Sequence, residues 1–327
     1  MRIGILGAAR IAPAAVVKPA RVVDGVEIAA VAARDRGRAS AFAARHGVPT
    51  VHDSYADLVA DPSLDAVYVP LPNGLHAQWT LAAIEAGKHV LCEKPFTANA
   101  AQARVVADAA AETDLVVMEA FHYRYHPLAN RMHEVVHSGE LGRVRRVETA
   151  LCFPLPVFSN IRYNYDLAGG ALMDAGCYAV HCLRLLSPAE PTVTAAKAVS
   201  LGRDRRIDRA MTADFDLGDG ATGRATASMW SRTLLRIQAR VVGDNGTLAV
   251  NNFVGPHVWT RFTVTTAGTR RREQFSREAT YVHQLRAFAA ATKGEPTNLT
   301  PPSDSIATMS LIDDIYTTAG LPLRGTA

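Results

Sequence analysis

Over the first 120 residues, short and almost wholly apolar runs alternate with longer alanine-rich segments whose apolar positions recur at helical spacing. The apolar runs are "RIGIL" (2–6), "EIAAVAA" (27–33), "DAVYVPLP" (65–72), "HVLCE" (89–93) and "LVVMEA" (115–120). Between them, residues 10–23, 36–47, 76–88 and 99–113 carry the helical pattern, with Gly47 a stop signal for the second helix. Strands apolar on both faces, alternating with helices, predict a parallel sheet covered on both sides.

The rhythm changes after about residue 121. A helix over 125–138 and a strand over 144–153 precede a glycine- and alanine-rich helix over 170–186. From 192 to about 265, extended segments such as "TVTAAKAVSL", "MTADFDL", "TGRATASMW", "LRIQARVVG" and "GTLAV" are separated by turn signals, including "GDG" and "GDNG". This predicts an antiparallel sheet, followed by two helices over 277–293 and 303–319. The expected division is 1–121 as an α/β domain and 122–327 as an α+β domain with a large, mainly antiparallel sheet, the last helix packing back on the first domain.

Composition narrows the class. The chain has 327 residues, 48% hydrophobic and 20% charged, with a net charge of +4, which is a globular composition. The basic residues form no long stripe, and the richest patch, "TRRRE" (269–273), reads as a solvated strand, so no nucleic-acid partner is expected. No apolar run reaches the roughly 18 residues that a membrane span requires. The four cysteines, Cys92, Cys152, Cys177 and Cys182, lack metal-ligand spacing. With no leader-like start, they are expected to be reduced thiols in a cytoplasmic protein, and no metal is expected.

Candidate chemistry begins at the first strand. "ILGAARIA" (5–12) spaces Gly7-x-Ala9-x-x-Ala12 between a strand and a helix, a variant of the dinucleotide fingerprint of the Rossmann fold. Gly7 makes the tight turn, small residues at 8 and 9 admit a pyrophosphate, and the backbone of Ala8, Ala9, Arg10 and Ile11 faces it. A plain strand-to-helix turn is the competing reading. At the end of the second strand, Ala33 and Arg34 stand where NAD enzymes place an acid. Arg34, assisted by Arg38, can pair with a 2′-phosphate, which favours NADP(H) over NAD(H). Asp35 would reach the ribose instead if the strand ended one residue later.

Ligands of open parallel sheets lie beyond the carboxyl ends of the strands. There "VPLPNGLH" presents Leu71, Pro72, Asn73 and His76, and "LCEKP" presents Glu93 and Lys94. A lysine beside a dinucleotide can bind a substrate oxygen and lower the pKa of a neighbouring acid–base group; His76 could equally be a helix N-terminal residue without chemistry. In "GGALMDAGCYAVH" (169–181), Asp174, Tyr178 and His181 fall on one helical face. Each alone could be a satisfied core residue, but the alignment after a double glycine points to a site.

Together "AGKHVLCEKP", "PNGLH" and "GGALMDAGCY" resemble the glucose–fructose oxidoreductase/inositol dehydrogenase/MocA family over essentially the whole chain. "MEAFHYRYHP" (118–127) and Tyr178 resemble its branch of dimeric dihydrodiol dehydrogenases and NADP-dependent D-xylose dehydrogenases. Inositol dehydrogenases carry histidine where this chain has Tyr178, and the branch leads one to expect methionine in place of His122.

The resemblance implies hydride transfer between a nicotinamide and a carbinol or carbonyl carbon of a sugar or related cyclic polyol. Lys94 would contact the reacting oxygen. Tyr178 would be the general acid–base, its pKa lowered by Lys94, and Asp174 would orient or balance the pair. Pro95 suggests a rigid Lys–Pro bond that can take the cis form. Tyr123, Arg124 and the "NIRYNY" loop with Arg162, Tyr163 and Asn164 are candidate substrate contacts. A homodimer through the second-domain sheet is expected. The open alternatives are a keto-sugar reductase, a trans-dihydrodiol dehydrogenase and a non-catalytic nucleotide-sensing regulator.

Overall fold

A computed structural model describes residues 1–325. The chain forms two compact units, residues 1–125 with 278–306, and residues 126–277 with the segment from Ala307 on. The expected domains, 1–121 and 122–327, therefore differ from these units most at the far end of the chain.

The first unit holds a parallel sheet of β1 (Arg2–Leu6), β2 (Glu27–Ala32), β3 (Thr50–His52), β4 (Ala66–Val69), β5 (His89–Cys92) and β6 (Val117–Glu119). Their spatial order is β3-β2-β1-β4-β5-β6, so the chain reverses direction across the sheet between β1 and β4. Such a switch point is where open parallel sheets bind ligands. Ile3, Ile5, Val31, Tyr68, Leu91 and Met118 share one core with Leu285 and Phe288 of the helix Thr280–Ala291. That helix completes the core of the first unit, because its buried Val282, Leu285 and Phe288 supply the apolar face the sheet needs; the start of the last helix, up to Ile306, also belongs to this unit.

The sequence pattern misses β3 and the helix Tyr55–Ala60. "TVHDSYADLVA" is too polar for a periodicity signal, and a cap nucleates the helix instead: Ser54 Oγ accepts the Asp57 N–H at 3.0 Å.

The second unit holds eight strands: β7 (Val144–Cys152), β8 (Thr192–Leu201), β9 (Asp204–Asp216), β10 (Thr222–Ser228), β11 (Arg236–Gly243), β12 (Gly246–Asn251), β13 (Arg261–Thr266) and β14 (Thr269–Glu273). The order is β14-β13-β12-β11-β7-β10-β9-β8. All pairs are antiparallel except β7 with β10, which run parallel in the middle of the sheet. The helix Cys177–Leu186 lies on this sheet, with Thr149 donating from β7 to the Ala179 carbonyl at 2.8 Å. "TRRRE" is the edge strand β14, its Arg271 paired with Glu140 and Glu273. Among the described residues no helix is long and apolar enough to cross a membrane.

Candidate active site

The turn after β1 has the shape the fingerprint requires. Gly7 has φ +112°, and a Cβ there would approach Leu71 Cδ2 to 3.2 Å, so a side chain is excluded by both conformation and space. Its N–H donates to the Ala32 carbonyl at 2.7 Å, which ties the turn to β2. A π-helical turn, Pro13–Val17, follows without a side-chain cap and leads into a short α-helical segment, Lys18–Ala20. Ala8 and Ala9 are half-buried, and Arg10 and Ile11 are exposed. A small-residue cradle before a helix start with no side-chain cap fits a dinucleotide pyrophosphate.

The strand-end ambiguity resolves at Asp35. Its Oδ1 accepts the Arg38 N–H at 2.7 Å and caps the helix Arg36–His46. β2 ends at Ala32 and Ala33 is buried. The Asp35 carboxylate is thus engaged in its own helix, whereas the exposed Arg34 and Arg38 enter no ion pair among the described residues. This arrangement fits a 2′-phosphate better than a 2′-hydroxyl.

At the ends of β4 and β5 the structure builds a fastened turn around Lys94. The Lys94–Pro95 peptide bond is cis. Tyr68 Oη donates to Glu93 Oε1 at 2.7 Å on one side of the lysine. On the other side, Glu119 Oε1 accepts the Phe96 N–H at 2.9 Å, and its Oε2 accepts the Ser305 hydroxyl at 2.6 Å. Lys94 itself is half-buried, between the buried Glu93 and Pro95. Cys92, just before this turn, is fully buried, and burial pushes its thiol pKa up, so it is held as an inert thiol.

His76 takes a different place from the one expected. It is 0% exposed, so it does not reach a cofactor directly in this conformation. Its Nδ1 lies 2.7 Å from the Pro95 carbonyl and its Nε2 2.8 Å from the Leu71 carbonyl. The ring therefore sits between the two strand-end turns that carry the cofactor and lysine candidates, and as a neutral imidazole it donates its one N–H to one of the two carbonyls. Burial pushes its pKa down, and the two carbonyls pull the other way. His76→Leu keeps the apolar volume but removes that N–H donor. It is expected to cost about 1 to 3 kcal/mol, the penalty for stranding a buried acceptor, measured by denaturant unfolding. An unchanged stability would show that both carbonyls are satisfied without the ring.

Leu71 is buried, and Pro72 and Asn73 are half-buried. Asn73 opens a 3-10 turn, Asn73–Leu75. Tyr123 is also displaced from its expected role: it is 0% exposed and meets Phe121 edge-on at 6.3 Å, so it cannot touch substrate in this conformation. Arg124 is half-buried. His122 donates to or accepts from Thr280 Oγ1 at 2.7 Å and stacks on Tyr281 at 4.1 Å. The unusual histidine is thus accommodated by the helix Thr280–Ala291.

In the second unit, the helix expected over 170–186 begins with a second π-helical turn, Leu172–Gly176, before the α-helix Cys177–Leu186. A π turn closes over five residues and is common at functional sites. Asp174 lies within the π turn, and Tyr178 follows in the first turn of the α-helix. Tyr178 and His181 are buried, and Asp174 is half-buried. Arg162 Nε donates to Asp174 Oδ1 at 2.8 Å, so two residues expected at the site are one ion pair. Of their loop neighbours, Tyr163 is an anchor: it is buried, its hydroxyl donates to the Leu155 carbonyl at 2.8 Å, and burial pushes its pKa up to about 12. Asn164 is exposed and its Oδ1 accepts the Asp166 N–H at 2.9 Å.

Sequence reasoning missed Tyr68 and Glu119, which fasten the lysine turn; both lie in apolar strands and carry no local signal. Among the described residues no group of His, Cys, Asp or Glu could hold a metal ion.

Comparison with known proteins places these features. Residues 1–121 match the family described as "Oxidoreductase family, NAD-binding Rossmann fold", and residues 129–249 match "GFO/IDH/MocA C-terminal domain". The chain is 41% identical to D-xylose 1-dehydrogenase (NADP(+)) 2 of Haloferax volcanii over 322 residues, covering 98% of this chain and 97% of that one. It is 31% identical to dTDP-3,4-didehydro-2,6-dideoxy-alpha-D-glucose 3-reductase of Actinomadura kijaniata, covering 98% of this chain and 96% of that one. The crystal structure of a 3-ketoreductase from Actinomadura kijaniata in complex with NADP and TDP-benzene superposes with a TM-score of 0.89 at 29% identity, covering 97% of each chain.

Proposed function

The chain belongs to the Gfo/Idh/MocA oxidoreductase family, and from that premise we propose that it is an NADP(H)-dependent dehydrogenase of a sugar or related cyclic polyol, oxidising a carbinol carbon. The observation that carries this reading is the full-length similarity to an NADP-dependent D-xylose 1-dehydrogenase. Within that frame Gly7, Ala8, Ala9, Arg10 and Ile11 hold the pyrophosphate, Arg34 and Arg38 the 2′-phosphate, and Leu71, Pro72, Asn73 and Glu93 the nicotinamide half. His76 acts by holding the Leu71 and Pro95 turns in place.

The nicotinamide supplies or accepts the hydride when bound. The protein's part is positioning and proton transfer. Lys94 binds the reacting oxygen through its ammonium. Tyr178 takes the hydroxyl proton at its phenolic oxygen during oxidation and returns it during reduction, and the charge of Lys94 lowers the phenol pKa. Asp174, paired with Arg162, presents this pair to the other hydroxyls of the sugar. Arg124 is a further contact.

Two properties complete the proposal. A cytoplasmic location accords with four buried cysteines held as thiols rather than as disulfides. A homodimer through the eight-stranded sheet accords with the exposed and half-exposed positions along its edge strand β8.

D-xylose with NADP⁺ is expected to give a steady rise in reduced-nicotinamide absorbance, with NAD⁺ much slower. Arg34→Ala should narrow the preference for NADP⁺ by about 10- to 100-fold, the worth of a charge-assisted hydrogen bond. A chain that turns over no aldose but reduces a keto-sugar would favour the second reading, supported by the likeness to the 3-ketoreductase. Binding of NADPH with no turnover of either class would favour a regulator.

A further inference from the structure

Near the end of the chain, Arg324 is 0% exposed, as are Asp208 and Tyr316. A buried arginine is costly unless its charge and donors are matched, and here each of its three nitrogens donates a hydrogen bond. Nε donates to the Gly169 carbonyl at 2.7 Å, one Nη to the Pro322 carbonyl at 2.7 Å, and the other to Asp208 Oδ1 at 3.0 Å. The guanidinium also stacks over the Tyr316 ring at 4.0 Å and lies 5.1 Å from the Tyr165 ring. Burial beside Asp208 pushes the Tyr316 phenol well up, so it stays protonated and donates to Asp208 Oδ1 at 3.0 Å.

The partners of this cluster are the segments that carry the candidate chemistry of the second unit. Asp208 Oδ2 accepts the Leu172 N–H at 2.7 Å, at the first residue of the π turn that leads to Asp174 and Tyr178. Gly169 and Gly170 in turn donate to the carbonyls of Asn164 and Arg162, both at 2.8 Å. Tyr165 Oη donates to the Leu323 carbonyl at 2.6 Å. The loop holding Arg162 and the start of the helix holding Tyr178 are thus tied to one buried guanidinium. The second glycine of the pair is explained by the same cluster, and the first by the Arg162 and Asn164 carbonyls of the loop, which a Cβ there would approach to 2.6 and 2.7 Å. Gly170 has φ +139°, and a Cβ there would collide with Asp208 Oδ1 and come within 2.7 Å of Tyr316 Oη.

We propose that Arg324 is a positioning residue for the reaction: the end of the chain, through the Arg324–Asp208 pair, sets the placement of the Arg162 loop and of the helix bearing Asp174 and Tyr178. The proposal rests on the reading of Tyr178 as the acid–base group. Its role is indirect, since Arg324 has no exposed surface with which to touch a ligand.

The test compares Arg324→Met and Arg324→Lys with the unaltered protein, well below the unfolding temperature of each. Arg324→Met is expected to lower kcat by about 10- to 100-fold, the scale of an ångström-sized misplacement of a reacting group, and to raise KM for the sugar. The Kd for NADPH is expected to stay within about twofold, because the dinucleotide residues lie in the other unit. Arg324→Lys, which keeps the charge for Asp208, is expected to recover part of kcat. A lower unfolding temperature with kcat and KM both unchanged would overturn the proposal and leave Arg324 a stability residue. If Arg324→Met does not fold, Tyr165→Phe removes the tie to Leu323 while leaving the ion pair intact. It is expected to raise KM for the sugar without altering NADPH binding, and unchanged sugar kinetics there would equally overturn the proposal. Tyr178→Phe serves as the control: full activity in that variant sinks the acid–base assignment itself, whereas its loss together with a fully active Arg324→Met sinks only the positioning role.

Discussion

Tyr178→Phe is expected to lower kcat for sugar oxidation by about 100- to 10,000-fold, the range over which positioned acid–base groups act, while the protein stays folded and binds NADPH as before. The ring is buried in the helix Cys177–Leu186. Phenylalanine keeps its volume there, so the packing against the sheet survives. What is lost is one hydroxyl, and with it the group proposed to carry the substrate proton. The cofactor residues belong to the other compact unit and are untouched. Steady-state turnover with D-xylose, set beside a fluorescence titration with NADPH, separates the two effects. A kcat within a few-fold of the unaltered protein would remove Tyr178 from the reaction and move the search to His181, the next buried polar residue on that helix. A large loss of NADPH affinity would instead show that the substitution had disturbed more than the proton path.

What was legible in the sequence follows from where the information is local. The parallel sheet was readable because most of its strands are buried on both faces and therefore apolar at nearly every interior position. The turn at Gly7 was readable because a positive φ and a close approach to Leu71 leave little choice of residue. β3 and the helix Tyr55–Ala60 were not, since a short edge strand and a capped helix need little apolar surface. The site divides in the same way. Lys94, Asp174 and Tyr178 stand out as polar residues in apolar surroundings. His76 and Tyr123 stand out for the same reason, yet their side chains are used inside the fold, and sequence alone does not distinguish a buried bridge from a ligand contact. The choice between Arg34 and Asp35 turned on one helix cap, Asp35 to the Arg38 N–H. Arg324 had no signal of its own, because its meaning comes from Asp208, which is 116 positions away. Only the double glycine hinted that something occupied the space a side chain would need.

Lys94→Ala is expected to reduce kcat/KM for the sugar by about 100-fold or more, again the scale of acid–base losses, and to change the pH profile in a direction that Tyr178→Phe cannot mimic. The turn that presents the lysine is fastened by groups other than the lysine side chain. Tyr68 holds Glu93 before it, His76 meets the Pro95 carbonyl after it, and Glu119 holds the Phe96 N–H beyond. Removing the ammonium therefore leaves the backbone in place, and the loss reports on the charge. A cation near a phenol stabilises the phenolate and lowers its pKa. Oxidation needs the phenol oxygen free to take a proton, so its rate rises with pH through that pKa. Without Lys94 the pKa returns upward, and the rising limb should move to higher pH by about one pH unit or more, as expected for the loss of an opposite charge. Part of the lost rate should then return in alkaline buffer, which no general unfolding of the turn would produce. A rate that falls equally at every pH would assign Lys94 to holding the substrate oxygen alone and leave Tyr178 to be activated by some other group.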